Sequence, residues 1–90
     1  MYKIFYTNSY IKLASRFLKK HPELEKQYSK TLQVLEVNPY HPSLRMHKLT
    51  GKLGGIHSVS INIQYRITIQ FIIKEKTIIP IMLGKHEDVY

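Results

Sequence analysis

Three kinds of side chain in this sequence could act together on a phosphodiester. The cations are Arg45, Lys48, Lys52, Arg66 and Lys85, the imidazoles are His47 and His86, and the rings are Tyr65 and Tyr90. Arg and Lys neutralise the charge that builds on a pentavalent phosphorane. Histidine moves protons, because its pKa lies near working pH. Tyrosines stack on unpaired bases. In RNA the 2′-hydroxyl is the nucleophile, so this set needs no protein nucleophile, no metal and no cofactor.

The charge pattern favours that chemistry. Fourteen Lys and Arg stand against six Asp and Glu, a net charge of +8. No acid occurs between Glu36 and Glu75, where Arg45, Lys48, Lys52, Arg66 and Lys74 fall together with His41, His47 and His57. Residues 1–20 are also free of acids and carry Lys3, Lys12, Arg16, Lys19 and Lys20. Such a field attracts polyanions, chiefly nucleic acid. A solvated face that keeps a small protein soluble is the plainer alternative.

Other chemistries lack their residues. There is no P-loop, Gly-rich dinucleotide turn or EF-hand, and no histidine pair at helical metal-binding spacing. Asp88 is the only aspartate and no serine sits in a nucleophile elbow, so a serine triad is not indicated. Without cysteine there is no disulfide and no thiolate site, which fits a reducing cytosol. No signal-peptide pattern and no apolar run of bilayer length is visible, so the expectation is a soluble cytoplasmic protein without membrane contact. His21, His41 and His57 are assigned structural or peripheral places, and Tyr2, Tyr6, Tyr10 and Tyr28 places in the core or at its rim.

The elements that must position the set follow from periodicity. Tyr2–Tyr6 is rich in β-formers and ends at Thr7-Asn8-Ser9, which are good helix caps. Tyr10, Leu13, Ala14, Phe17 and Leu18 then recur at helical spacing, and that helix should stop near His21, ahead of Pro22. Pro22 suits the first turn of a second helix, with Leu24, Tyr28, Leu32 and Leu35 as its apolar stripe and Asn38-Pro39 as its end. Residues 38–55 carry no regular period and collect much of the positive charge; so long a loop is often functional. A strand follows over 56–63, with Val59, Ile61 and Ile63 on one buried face. After a turn at 62–64, a strand over 65–73 puts Ile67, Ile69 and Phe71 on the core side. Arg66, Thr68 and Gln70 then lie on an open side. A last strand, TIIPIMLG, contains Pro80, which should cause a local irregularity. Ninety residues in this order make one α+β domain over 1–90. It is a β-α-α-β-β-β two-layer fold, with a helical hairpin on one face of a mainly antiparallel four-stranded sheet. A loop folded over the open face would gather Arg45, His47, Lys48 and Lys52 around Arg66 and His86.

RMHKLTGKLGG, SVSINIQYRI and IMLGKHEDVY, in this order and spacing, resemble the RelE/ParE superfamily of bacterial type II toxins. The resemblance is closest to the small RelE/YafQ-like mRNA interferases, often called plasmid-stabilisation proteins. Its carriers are the H-x-L-x-G of His47–Gly51, the Y-R-I of Tyr65–Ile67, and G-x-H-x-x-x-Y of Gly84–Tyr90. It implies a toxin that cleaves mRNA in the A site of the small ribosomal subunit. A cognate antitoxin protein would silence it, and DNA would be touched only through the antitoxin complex. His47, His86 and Tyr90 match functional positions of YafQ-like members, and Arg66 matches a phosphate-stabilising arginine. Where YafQ-like toxins carry a further histidine and an Asp-Trp pair, this chain has Ser60, Gln64 and Tyr65. The loop has no acid to serve as base, which leaves His47 as base and His86 as acid, or the reverse. ParE-like members of the same superfamily inhibit DNA gyrase, and a non-catalytic basic module that holds RNA or an antitoxin is the third reading.

Overall fold

The computed structural model describes residues 1–49 and 55–85. Strand β1 is only Lys3–Ile4, and Thr7 then caps helix α1, Asn8–Lys20, its Oγ1 accepting from the Tyr10 N–H at 3.1 Å. Lys19 and Lys20 in the last turn suit the negative end of the helix dipole. The chain leaves the helix at His21, as the following proline requires, and a single 3-10 turn over Pro22–Leu24 starts helix α2, Glu25–Val37. Asn38 ends α2, its N–H bonded to the Val34 carbonyl.

The stretch expected to lack regular structure is partly ordered. It holds a 3-10 turn at Pro42–Leu44 and a two-residue strand β2, His47–Lys48. Strands β3 (Ile56–Ser60), β4 (Tyr65–Ile72) and β5 (Thr77–Lys85) complete the sheet. Among the described residues the sheet therefore has five strands, not four, in the order β1-β5-β4-β3-β2. β1 runs parallel to β5, and every other pair is antiparallel. The additional strand has no periodic signal of its own, because its pairing comes entirely from β3.

Strand β3 is also shorter than its alternation suggests. Asn62 Oδ1 accepts from the N–H groups of Gln64 and Tyr65, both at 2.9 Å, and this turns the chain one residue after Ser60. Ile61 is consequently only half-buried, and Ile63 is 88% exposed at the turn rather than in the core. The irregularity expected at Pro80 is present. Thr68 pairs with Met82 but Ile69 with Pro80, so Ile81 is an extra residue, and the bulge accommodates a residue without an N–H to donate. No helix among the described residues is long and apolar enough to cross a membrane.

The core lies between the helices and one face of the sheet. Val59, Ile67, Ile69 and Ile78 are completely buried there with Leu35 of α2, and Tyr10, Ala14 and Tyr28 close it from the helix side. Truncating Ile67 to alanine deletes three buried carbons from a small core and should cost about 2–5 kcal/mol. Urea denaturation should show that as a lower midpoint with an unchanged slope.

Two of the helix tyrosines are tied together, with the Tyr10 and Tyr28 hydroxyls 2.7 Å apart and buried. Burial pushes the Tyr10 phenol well above the ordinary tyrosine range, and the neighbouring Tyr28 adds to the shift; burial raises Tyr28 too. The sign for stability follows. Below about pH 10 both phenols keep their protons whether the chain is folded or not. Above it the unfolded chain ionises while the folded one resists, so the unfolded state binds fewer protons and stability falls as pH rises. Tyr10 should contribute a slope of about 1.4 kcal/mol per pH unit there. Denaturation midpoints between pH 9.5 and 11.5 should show this slope, and Tyr10→Phe should flatten it even if the variant is less stable at pH 7.

Candidate functional site

The face of the sheet away from the helices is where the predicted chemistry begins to assemble. Strand alternation puts Ser58 and Ser60 of β3, and Arg66 and Thr68 of β4, on that side, because Val59, Ile67 and Ile69 occupy the core side. Cross-strand pairing then lays down two rows. His47 pairs with Ser58, Ser58 with Thr68 and Thr68 with Met82, while Ser60 pairs with Arg66 and Arg66 with Gly84. His47 and Arg66 thus share a face although they are 19 positions apart in the sequence.

This face was expected to be open, and at its centre it is not. Arg66 is only 9% exposed and Ser58 is completely buried, with Ser60 and Thr68 buried beside them. Part of the reason is that Arg66 does not stand up from the strand. It lies diagonally across β3, donating from Nη1 to Ser58 Oγ at 3.1 Å. A diagonal reach of two residues is within range for a long side chain. A buried guanidinium costs free energy unless its N–H groups are satisfied, and this bond is one of the contacts that Arg66 makes.

His47 is exposed on the edge strand, with its Nδ1 3.4 Å from the carbonyl of Arg45. A carbonyl oxygen only accepts, so Nδ1 is the donor in this contact, and in a neutral ring Nε2 is then the acceptor. Arg45 presents that carbonyl from a left-handed backbone, φ 46° and ψ 43°. Such a conformation costs a non-glycine residue about 1–2 kcal/mol and nothing in the sequence announced it. Strain of this kind concentrates where geometry matters to function.

The remaining expected residues divide. Lys48 pairs with His57, and Lys85 with Tyr65, so register places both on the helix side of the sheet, where they are exposed. Tyr65 is 8% exposed, its ring edge-on to Phe17 at 5.3 Å and beside His21 at 5.2 Å. The base-stacking expected of Tyr65 has no open ring face to use, because odd positions of β4 face the core. Lys52, His86 and Tyr90 lie outside the described residues. The histidines set aside as structural occupy such places. His57 packs edge-on to Phe71 with Nδ1 3.1 Å from the Gly55 carbonyl, and His41 bonds to Ser43. Ser58 was not singled out in the sequence, and a serine at an alternating strand position carries no signal that would have found it.

A second cationic surface runs along α1. Lys12, Arg16 and Lys20, four residues apart, line a groove whose floor is Leu13, Phe17 and Leu83. Among the described residues no lysine pairs with an acid, and the ion-pair contact is His21 with Glu23 at 3.6 Å. The positive field is therefore not cancelled locally.

No protein-family model matches the chain, and no curated protein matches it. Solved structures do. A metal-bound toxin from Helicobacter pylori is 22% identical, with all of both chains covered and a TM-score of 0.78. YafQ from Escherichia coli is 13% identical over 100% of this chain and 99% of its own, at a TM-score of 0.77. The YoeB–YefM toxin–antitoxin heterotetramer from Staphylococcus aureus matches at 17% identity over 96% and 98%, with a TM-score of 0.71. At these identities the likeness is one of fold. The chain shares the α+β fold of these toxins. YafQ is among the proteins that share it from end to end.

Proposed function

We propose that this protein is the toxin of a type II toxin–antitoxin pair and that it acts as a metal-independent endoribonuclease on mRNA in the ribosomal A site. The observation that carries the reading is the shared sheet face. On it Arg66 is held by Ser58, and His47 is paired with that same serine with its Nε2 available as an acceptor. A phosphate seated against Arg66 would have its developing charge neutralised by a guanidinium that needs no reorganisation. The neighbouring 2′-hydroxyl would lose its proton to His47 and attack the phosphorus, forming a 2′,3′-cyclic phosphate. His86 is the proposed acid that protonates the departing 5′-oxygen, and the reverse assignment of the two histidines gives the same products. Tyr90 is proposed to stack on a base, and Arg45, Lys48, Lys52 and Lys85 to add to the field that draws RNA and ribosome in.

An antitoxin partner is supported by the fold and by the YoeB–YefM complex among its neighbours. The basic stretch 45–52 is the proposed target of that antitoxin, which would neutralise it with acids.

The test is primer extension on a reporter mRNA in a reconstituted translation system, with and without ribosomes. Discrete cuts at codon-phased positions that appear only with ribosomes are expected. Intact mRNA from folded protein in both reactions would remove the nuclease reading. A DNA gyrase supercoiling assay would then ask whether the protein inhibits gyrase instead.

A further inference from the structure

Ser58 has no exposed surface, yet it lies on the sheet face away from the hydrophobic core. A buried hydroxyl is the informative kind of interior residue, since apolar side chains fill such positions at no polar cost. Serine is also a poorer strand former than the valines and isoleucines around it. Its position explains its presence. In register it sits between His47 on β2 and Thr68 on β4, and its Oγ accepts from Nη1 of Arg66, one diagonal step away.

We propose that Ser58 is the positioning residue of this face, whose hydroxyl anchors the guanidinium of Arg66 in one orientation, laid across β3 towards the strand that carries His47. This rests on the RNA-cleavage reading and adds to it the element that sets the phosphate subsite. A guanidinium carries its five N–H donors in one plane, so fixing Nη1 fixes the direction of the whole fork. An unanchored arginine side chain has about 2 kcal/mol of rotamer entropy to lose each time it engages a phosphate. Ser58 takes away part of that freedom before RNA arrives, which should be felt in the chemical step more than in binding. Ser58 itself touches no substrate and acts through Arg66.

Threonine and valine separate the hydroxyl from the volume it fills, since they are nearly equal in size and both suit a strand. Ser58→Thr keeps the hydroxyl and Ser58→Val replaces it with a methyl. Single-turnover cleavage at saturating substrate should stay within about threefold of wild type for the threonine variant. For valine it should fall about 10–100-fold, the range that a small misplacement of a catalytic group produces. The substrate concentration giving half-maximal rate should barely move. Both variants are assayed well below their melting temperatures, because valine leaves Nη1 of the buried guanidinium without this acceptor and should melt lower than threonine. In an Arg66→Ala background the valine substitution should cost nothing further. A valine variant as active as the threonine one, or an equal loss in the Arg66→Ala background, would overturn the assignment.

A readout that needs no activity keeps the proposal separate from the reading it rests on. The ¹⁵N relaxation of the Arg66 side chain should report a rigid Nε–H in wild type and Ser58→Thr, and a mobile one in Ser58→Val. Equal rigidity in all three would also overturn it. Loss of rigidity in a protein that cleaves no RNA would sink the nuclease reading and leave the anchor standing.

Discussion

Arg66→Ala should lower mRNA cleavage by about 10²–10³-fold, the loss seen when one preorganised stabiliser of a transition-state charge is removed. The size follows from the geometry. Arg66 is nearly buried, already held at Ser58, and on the same face as His47, so its charge acts where water is scarce. Arg66→Lys should recover little, because an ammonium is a point charge without the planar fork that Ser58 orients. The alanine variant also leaves the Ser58 hydroxyl buried without this donor, at a cost of about 1–3 kcal/mol. Activity must therefore be measured well below the melting temperature of the variant, with circular dichroism confirming that it is folded. Cleavage at the wild-type rate by Arg66→Ala would make the arginine a structural strut and remove phosphate stabilisation from the proposal.

The second large effect is expected from the histidines. His47→Ala and His86→Ala should each reduce cleavage by about 10²–10⁴-fold, the usual range for loss of a positioned proton-transfer group. Their effects on stability should differ little from zero. His47 is exposed on a two-residue edge strand, where substitutions are usually within about 0.5 kcal/mol of neutral. Among the described residues the pairing of β5 with β4 already spans Thr77–Lys85. Deleting residues 86–90 should for the same reason abolish cleavage and leave the melting temperature nearly unchanged. A deletion that unfolds the protein would mean that these residues hold the fold together. In that event the point substitution His86→Ala decides the chemistry alone, and wild-type cleavage by it would end the acid–base assignment. If neither the wild type nor the histidine variants cleave mRNA and gyrase is inhibited, the gyrase reading replaces the nuclease one.

The helical hairpin, the long core strand and the irregularity at Pro80 were legible because each depends on residues close together in the chain. Thr7 caps α1 through Tyr10, three positions on, and Pro22 restarts the helix that His21 leaves. The two faces of β4 follow from alternation alone, with Ile67 and Ile69 inward and Arg66 and Thr68 outward. That alternation also placed Tyr65 inward, although its aromatic ring on a basic strand suggested a contact with RNA. The charge distribution, with no acid between Glu36 and Glu75, needs no structure to be seen.

The sequence by itself thus determined the elements, the core side of the sheet and the sign of the field that surrounds it. The tertiary structure alone decided the strand order, because β1 meets β5 across more than seventy residues and no local pattern encodes that pairing. It also decided that His47 belongs to a strand, since a two-residue element exists only by pairing with Ser58 and His57. From those pairings come the buried serine, the guanidinium laid across it and the histidine beside it. Register between strands is a property of the whole sheet, whereas alternation is a property of each strand, and the candidate site is made by register.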